Sequence, residues 1–195
     1  MSLVDRIVQH FEDSAELKRV AAAPLAGPIA QAVEILTAAL AGDRKLLICG
    51  NGGSAADSQH MAAELVGRFE RERPELAAIA LSTDTSALTA LANDYGFDQV
   101  FARQVRALGR EGDVLVAIST SGNSANVLSA VTAAHERKLG VVALTGRGGG
   151  RLGASLRAGD VHLCVPHDRT ARIQEVHLLI IHCLCDGVDA SLLGD

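Results

Sequence analysis

The chain has 195 residues, of which 48% are hydrophobic and only 3% aromatic, and it carries a formal net charge of −5. That length fits one domain with a core that needs no disulfides, and an acidic chain without a basic run speaks against a direct nucleic-acid surface. Its four cysteines form no Cys-x-x-Cys pair and lie among apolar neighbours, so buried free thiols in a reducing cytosol are expected rather than a thiolate zinc knuckle.

The N-terminal 20 residues carry mixed charge at helical spacing, unlike the basic-then-apolar pattern of a signal peptide. No apolar run reaches the roughly 20 residues of a membrane span, so a cytoplasmic protein that does not enter a membrane is expected. Leu3, Ile7, Phe11 and Leu17 follow an i, i+4 rhythm that predicts a helix up to the alanines at 21–23. Pro24 and Pro28 predict a break there, followed by a second helix through Ile29, Val33 and Leu36 to a C-cap at Gly42. Residues 1–43 thus read as a helical pair, and 44–195 as the main body.

From Lys45 the pattern changes to short apolar runs: Lys45–Cys49, Ala77–Leu81, Val114–Ile118, Val141–Leu144 and Val161–Val165. Runs that are apolar on both faces and alternate with helical segments predict a doubly wound α/β fold with a five-stranded parallel sheet. A long helix from Thr170 to Leu193 closes the chain. Gly146–Gly150 reads as a loop, and there is no internal repeat or linker.

Four features carry chemistry. Residues 49–60, CGNGGSAADSQH, lead from a strand through Asn51, Gly52 and Gly53 into a helix near Ser54, a plausible N-cap. Such a turn lets a ligand approach the backbone beside unpaired helix amides, although a plain strand-to-helix turn has the same composition. Residues 118–124, ISTSGNS, again follow a strand and precede a helix, Ala125–Lys138. They crowd the hydroxyls of Ser119, Thr120, Ser121 and Ser124 around Gly122. Without a lysine this is no Walker loop, but hydroxyls and amides at a helix start can hold a phosphate, and four hydroxyls exceed what a cap needs. Both loops belong to the carboxyl end of the sheet, where open α/β folds bind ligands.

His60 and Glu64 stand four apart on one helix face and could ligate a divalent ion or simply pair at the surface. Gln174, His177 and His182 interrupt the apolar final helix, where an imidazole needs a hydrogen bond or a metal; one of the two histidines can be a satisfied core residue. Gln174 and His182 are eight residues apart, about 12 Å along a straight helix. Both could therefore reach one ion only with a frayed helix start or a second subunit.

GNGGSAADSQHMAAE, the Ala92–Asp94 triplet AND, ISTSGNS and RIQEVHLLIIH together resemble the phosphoheptose isomerases, members of the sugar isomerase (SIS) domain superfamily, over nearly the whole chain. The resemblance implies interconversion of sedoheptulose 7-phosphate and glycero-manno-heptose 7-phosphate for surface polysaccharide, in a cytoplasmic homotetramer with active sites between subunits. It implies one Zn²⁺ per subunit on His60, Glu64, Gln174 and His182. It also implies substrate contacts from Asn51, Gly52, Gly53, Glu64, Asn93, Asp94, Ser119, Thr120, Ser121, Ser124 and Gln174. A sister group shares the fold and binds the replication initiator protein, but it has lost metal-ligand positions, whereas Glu64 and His182 stand here. Ala171 departs from the acidic residue some isomerases carry before the Arg-Ile-Gln-Glu run. Ketose–aldose isomerisation through an enediol needs a base and an acid, and Glu64 and His182 are expected in those roles. A third reading, a sugar-phosphate-sensing regulatory domain, would normally bring a DNA-binding helix-turn-helix, which the N-terminal segment does not resemble.

Overall fold

The structure, a computed structural model, describes residues 1–194. Strands β1 (Leu46–Cys49), β2 (Ala78–Ala80), β3 (Val114–Ser119), β4 (Gly140–Thr145) and β5 (Val161–Cys164) pair in parallel in the order β2-β1-β3-β4-β5. All five apolar runs are strands, each within one residue of its expected ends. The order reverses direction between β1 and β3. The loops after those two strands therefore flank the crevice in which open parallel sheets bind ligands.

Among the described residues, seven α-helices accompany the sheet: α1 (Leu3–Ala41), α2 (Gly53–Val66), α3 (Thr85–Tyr95), α4 (Val100–Leu108), α5 (Ala125–Glu136), α6 (Gly150–Ser155) and α7 (Thr170–Leu193). Because strand side chains alternate, the sheet supplies two cores. Leu46, Ile48, Val116, Ile118 and Leu144 face α1, α2 and α7. Leu47, Cys49, Leu115, Ala117 and Ala143 face α4, α5 and α6.

The expected break at Pro24 and Pro28 does not occur: both prolines lie inside one 39-residue helix. Pro24 leaves the Val20 carbonyl, and Pro28 the Pro24 carbonyl, without an intrahelical partner, so the two defects sit one turn apart at one site in the helix. Leu17, Ala21, Leu25, Ala32 and Leu36 form a buried stripe on both sides of that site, and α1 packs along α7 and β5. Burying each leucine contributes roughly 1.5–3 kcal/mol, so the stripe offsets the about 3 kcal/mol that each of the two interior prolines costs. At its other end α1 is exposed: Leu3, Val4, Ile7, Val8 and Phe11 all face outward.

Smaller expectations also shift. Ser54 is not the N-cap of α2; Gly52, at φ 56°, takes that place and Ser54 is buried in the first turn. The helix expected to reach Lys138 stops at Glu136, since Lys138 has φ 60°. Cys49 and Cys185 are buried, but Cys183 is exposed and Cys164 only partly covered. By length and composition α1 and α7 could each cross a membrane, a possibility that runs of consecutive apolar residues did not raise. For α7 the composition is that of a core helix packed against α1 and α2.

Candidate active site

Two loops meet at the reversal point of the sheet. Asn51, after β1, and Asn126, in the first turn of α5, exchange paired amide hydrogen bonds: each Nδ2 donates to the other's Oδ1 at 2.8 Å. Asn126 is buried, so the glycine loop is fastened to the start of the helix that follows the hydroxyl loop. In that second loop the Ser119 and Ser124 hydroxyls lie 3.0 Å apart, and the Asn123 amide donates to Ser121 Oγ at 3.2 Å. No side chain caps α5.

The hydroxyl loop has a second wall. Gly122 takes φ 64°, and a Cβ there would run into the Gly149 carbonyl. The Gly146 amide donates to the Thr120 carbonyl at 3.1 Å and the Leu152 amide to the Gly122 carbonyl at 2.8 Å. The 146–150 segment, expected as a plain loop, is thus a brace for the hydroxyl loop, continuing as a 3₁₀ turn into α6. It rests in turn on His162, since a Cβ on Gly149 would come within 2.5 Å of that ring. His162 Nε2 lies 2.7 Å from Thr145 Oγ1, and His177 Nε2 donates to the Thr145 carbonyl at 3.0 Å. His177 is the histidine held in the core, through its Nε2 alone.

The acid–base candidates form a separate cluster. His60 on α2 and His182 on α7 bring their Nε2 atoms to 3.0 Å, so one nitrogen carries the shared hydrogen and the other accepts it. Glu64 Oε1 lies 3.6 Å from His60 Nε2, and the Phe69 ring covers His182 at a centroid distance of 5.7 Å. Glu64 keeps 24% of its side chain exposed and His60 40%, so the cluster is open to a ligand.

Gln174 does not join this cluster. Its carboxamide sits over Gly53, where a Cβ would fall 2.5 Å from Nε2, and it lies in the regular second turn of α7, about 12 Å along the axis from His182. Nor do Asn93 and Asp94, which pair with each other at 2.8 Å on the exposed last turn of α3. Gly52 and Gly53 open α2 beside Asn51. Among the described residues, no three His, Cys, Asp or Glu side chains close around one point. His60, Glu64 and His182 stand instead as an open cluster of two imidazoles and one carboxylate, donor types whose chemistry suits zinc among other divalent ions.

Sequence reading had singled out neither Asn126 nor Arg73. Asn126 carried a signal, an amide among the apolar residues of α5. Arg73 carried none, standing among the charged residues of the stretch 68–75; yet its side chain is 1% exposed.

The SIS domain family matches residues 9–146. The chain is 68% identical over 194 residues to the phosphoheptose isomerase of Azoarcus sp. (strain BH72), covering 100% of this chain and 98% of that one. It is 63% identical to the phosphoheptose isomerase of Dechloromonas aromatica (strain RCB), covering 100% and 99%. Among solved structures, phosphoheptose isomerase GmhA from Neisseria gonorrhoeae matches with TM-score 0.93 at 59% identity, over 97% of this chain and 100% of that one. A phosphoheptose isomerase from Francisella tularensis matches with TM-score 0.94 at 48% identity, over 97% and 99%.

Proposed function

The chain belongs to the phosphoheptose isomerases of the SIS domain family and is an isomerase, and from its residues we propose that it converts sedoheptulose 7-phosphate to the aldose heptose 7-phosphate with Glu64 as base and His182 as acid. The single observation that carries the chemical assignment is the His60–His182–Glu64 cluster, in which a carboxylate and a shared imidazole hydrogen stand side by side.

The hydroxyls of Ser119, Thr120, Ser121 and Ser124 and the start of α5 would bind the phosphate, with Asn51, Gly52, Gly53 and Gln174 along the sugar and Asn93 and Asp94 as further substrate contacts. Glu64 would take the C1 proton, while His182 gives a proton to the C2 carbonyl oxygen, producing the enediol. Glu64 then returns a proton to C2 while His182 takes the proton from O1, which restores both groups and yields the aldose. His60 would fix which nitrogen of His182 bears the hydrogen. His60, Glu64 and His182 would hold one Zn²⁺, with Gln174 outside the shell in the arrangement described; the ion would supply a Lewis acid that polarises the sugar carbonyl.

The distances favour a site shared between copies. Glu64 is eleven residues beyond Gly53, about 16 Å along α2 at 1.5 Å per residue. A heptose chain spans roughly 8 Å at about 1.2 Å per bond. A sugar anchored against the start of α2 in one chain would therefore fall short of Glu64 in the same chain. The exposed apolar face of α1 supports assembly of identical chains, as in a homotetramer, and a cytoplasmic enzyme feeding surface-polysaccharide synthesis fits that reading.

The test is conversion of sedoheptulose 7-phosphate with and without zinc, beside Glu64→Gln. Turnover by the parent chain that falls by roughly 10²–10⁴ in the variant is expected. A folded parent chain that leaves the sugar unchanged in every metal condition would refute the substrate.

A further inference from the structure

A helix leaves its last carbonyls without intrahelical partners. In α2 that last turn carries Glu64, and Gly67 beyond it supplies one amide, to the Ala63 carbonyl. A single side chain reaches the next two carbonyls, of which that of Leu65 also accepts from the Leu76 amide at 3.0 Å. Arg73 donates from Nη2 to the Glu64 carbonyl at 2.7 Å and from Nη1 to the Leu65 carbonyl at 2.8 Å. Its Nε donates to Asp189 Oδ1 at 2.6 Å, and Arg73 and Asp189 are 1% and 3% exposed.

Asp189 lies on α7, seven residues after His182 and so close to the same face. One buried guanidinium therefore ties the peptide of Glu64 to the helix that bears His182. The planar fork reaches all three acceptors at once, which a lysine cannot do. We propose that Arg73 is a positioning residue for the proton transfer, a strut that holds Glu64 in place against His182. The inference rests on Glu64 being the catalytic base. Its physical basis is that a displacement near 1 Å at the reacting groups costs on the order of a hundredfold in rate. The phosphate loop lies at the other end of α2, so sugar-phosphate affinity is decoupled from the strut.

The experiment compares kcat and KM for sedoheptulose 7-phosphate in the parent chain, Glu64→Gln, Arg73→Lys, Asp189→Asn and Arg73→Ala, each scaled to folded protein by near-ultraviolet circular dichroism. Arg73→Lys and Asp189→Asn are expected to lose about 10- to 100-fold in kcat with KM unchanged within about twofold. In Arg73→Ala, added guanidinium should restore kcat in proportion to its concentration, while sodium chloride at the same ionic strength does not. A merely structural arginine would lower the amount of folded protein and leave kcat per folded molecule intact. Wild-type kcat in Arg73→Lys while Glu64→Gln is inactive would overturn the strut alone. An active Glu64→Gln would overturn the base assignment and the strut with it.

Discussion

His177 lies wholly buried on α7, its Nε2 on the Thr145 carbonyl and its Nδ1 without a partner. Burial pushes this imidazole down to about 4, against the opposing pull of the Thr145 hydrogen bond. The same group titrates near 6.5 in the unfolded chain, so the unfolded state binds the proton first as pH falls. The stabilisation is complete above about pH 6.5 and is lost progressively towards pH 4, on the order of 3 kcal/mol for a shift of that size. His162, also lowered by burial, acts in the same sense. Asp57 acts in the other: desolvation, opposed by the attraction of His60, raises its carboxyl to about 6, so the native state gains a proton that the unfolded state still releases. Chemical denaturation of His177→Gln, whose amide can still donate to Thr145, should give a flatter dependence on pH between 6.5 and 4. An acid limb as steep as that of the parent chain would refute this role. At this scale the sequence was partly legible. A histidine in an apolar helix announces that something satisfies it, but the Thr145 carbonyl, 32 residues away, is supplied only by the fold.

Among the elements, the hydroxyl loop and its glycine brace behave as one unit. Ser119 to Ser124 were recognisable because their hydroxyls exceed what a cap requires. The 146–150 run looked like a spacer because glycines record no contact of their own. Gly122→Ala tests the coupling: it forces φ 64° on alanine and drives a Cβ into the Gly149 carbonyl. It should cost about 1–3 kcal/mol in stability and raise KM for the sugar phosphate, with the acid–base cluster untouched. A folded Gly122→Ala protein with unchanged KM would show that the loop does not hold the phosphate. The strands were legible because each is apolar on both faces. The continuity of α1 was not, because proline punctuation is local, whereas the buried stripe from Leu17 to Leu36 belongs to the tertiary packing.

The whole molecule presents two separate clusters: the hydroxyl loop at the reversal point of the sheet, proposed to hold the phosphate, and the His60–Glu64–His182 group farther down α2 and α7, proposed as acid and base. The rise along α2 separates them, in keeping with a site completed by a second copy. The proposed shared site requires copies of the chain to meet, and the face of α1 bearing Ile7 and Phe11, 48% and 75% exposed, offers an apolar surface for that contact. Ile7→Glu with Phe11→Glu should convert an oligomer to smaller species in light scattering, with helical content kept and turnover lost. An unchanged oligomer with full turnover would rule this face out.

The most direct measurement of the central claim follows hydrogen at the reacting carbons. Sedoheptulose 7-phosphate would be turned over in deuterium oxide, with the product read by NMR for the parent chain and for Glu64→Gln. Proton transfer through Glu64 predicts deuterium at C2 of the aldose formed by the parent chain, and neither exchange nor product in the variant. Exchange and product formation at the parent rate in Glu64→Gln would contradict it.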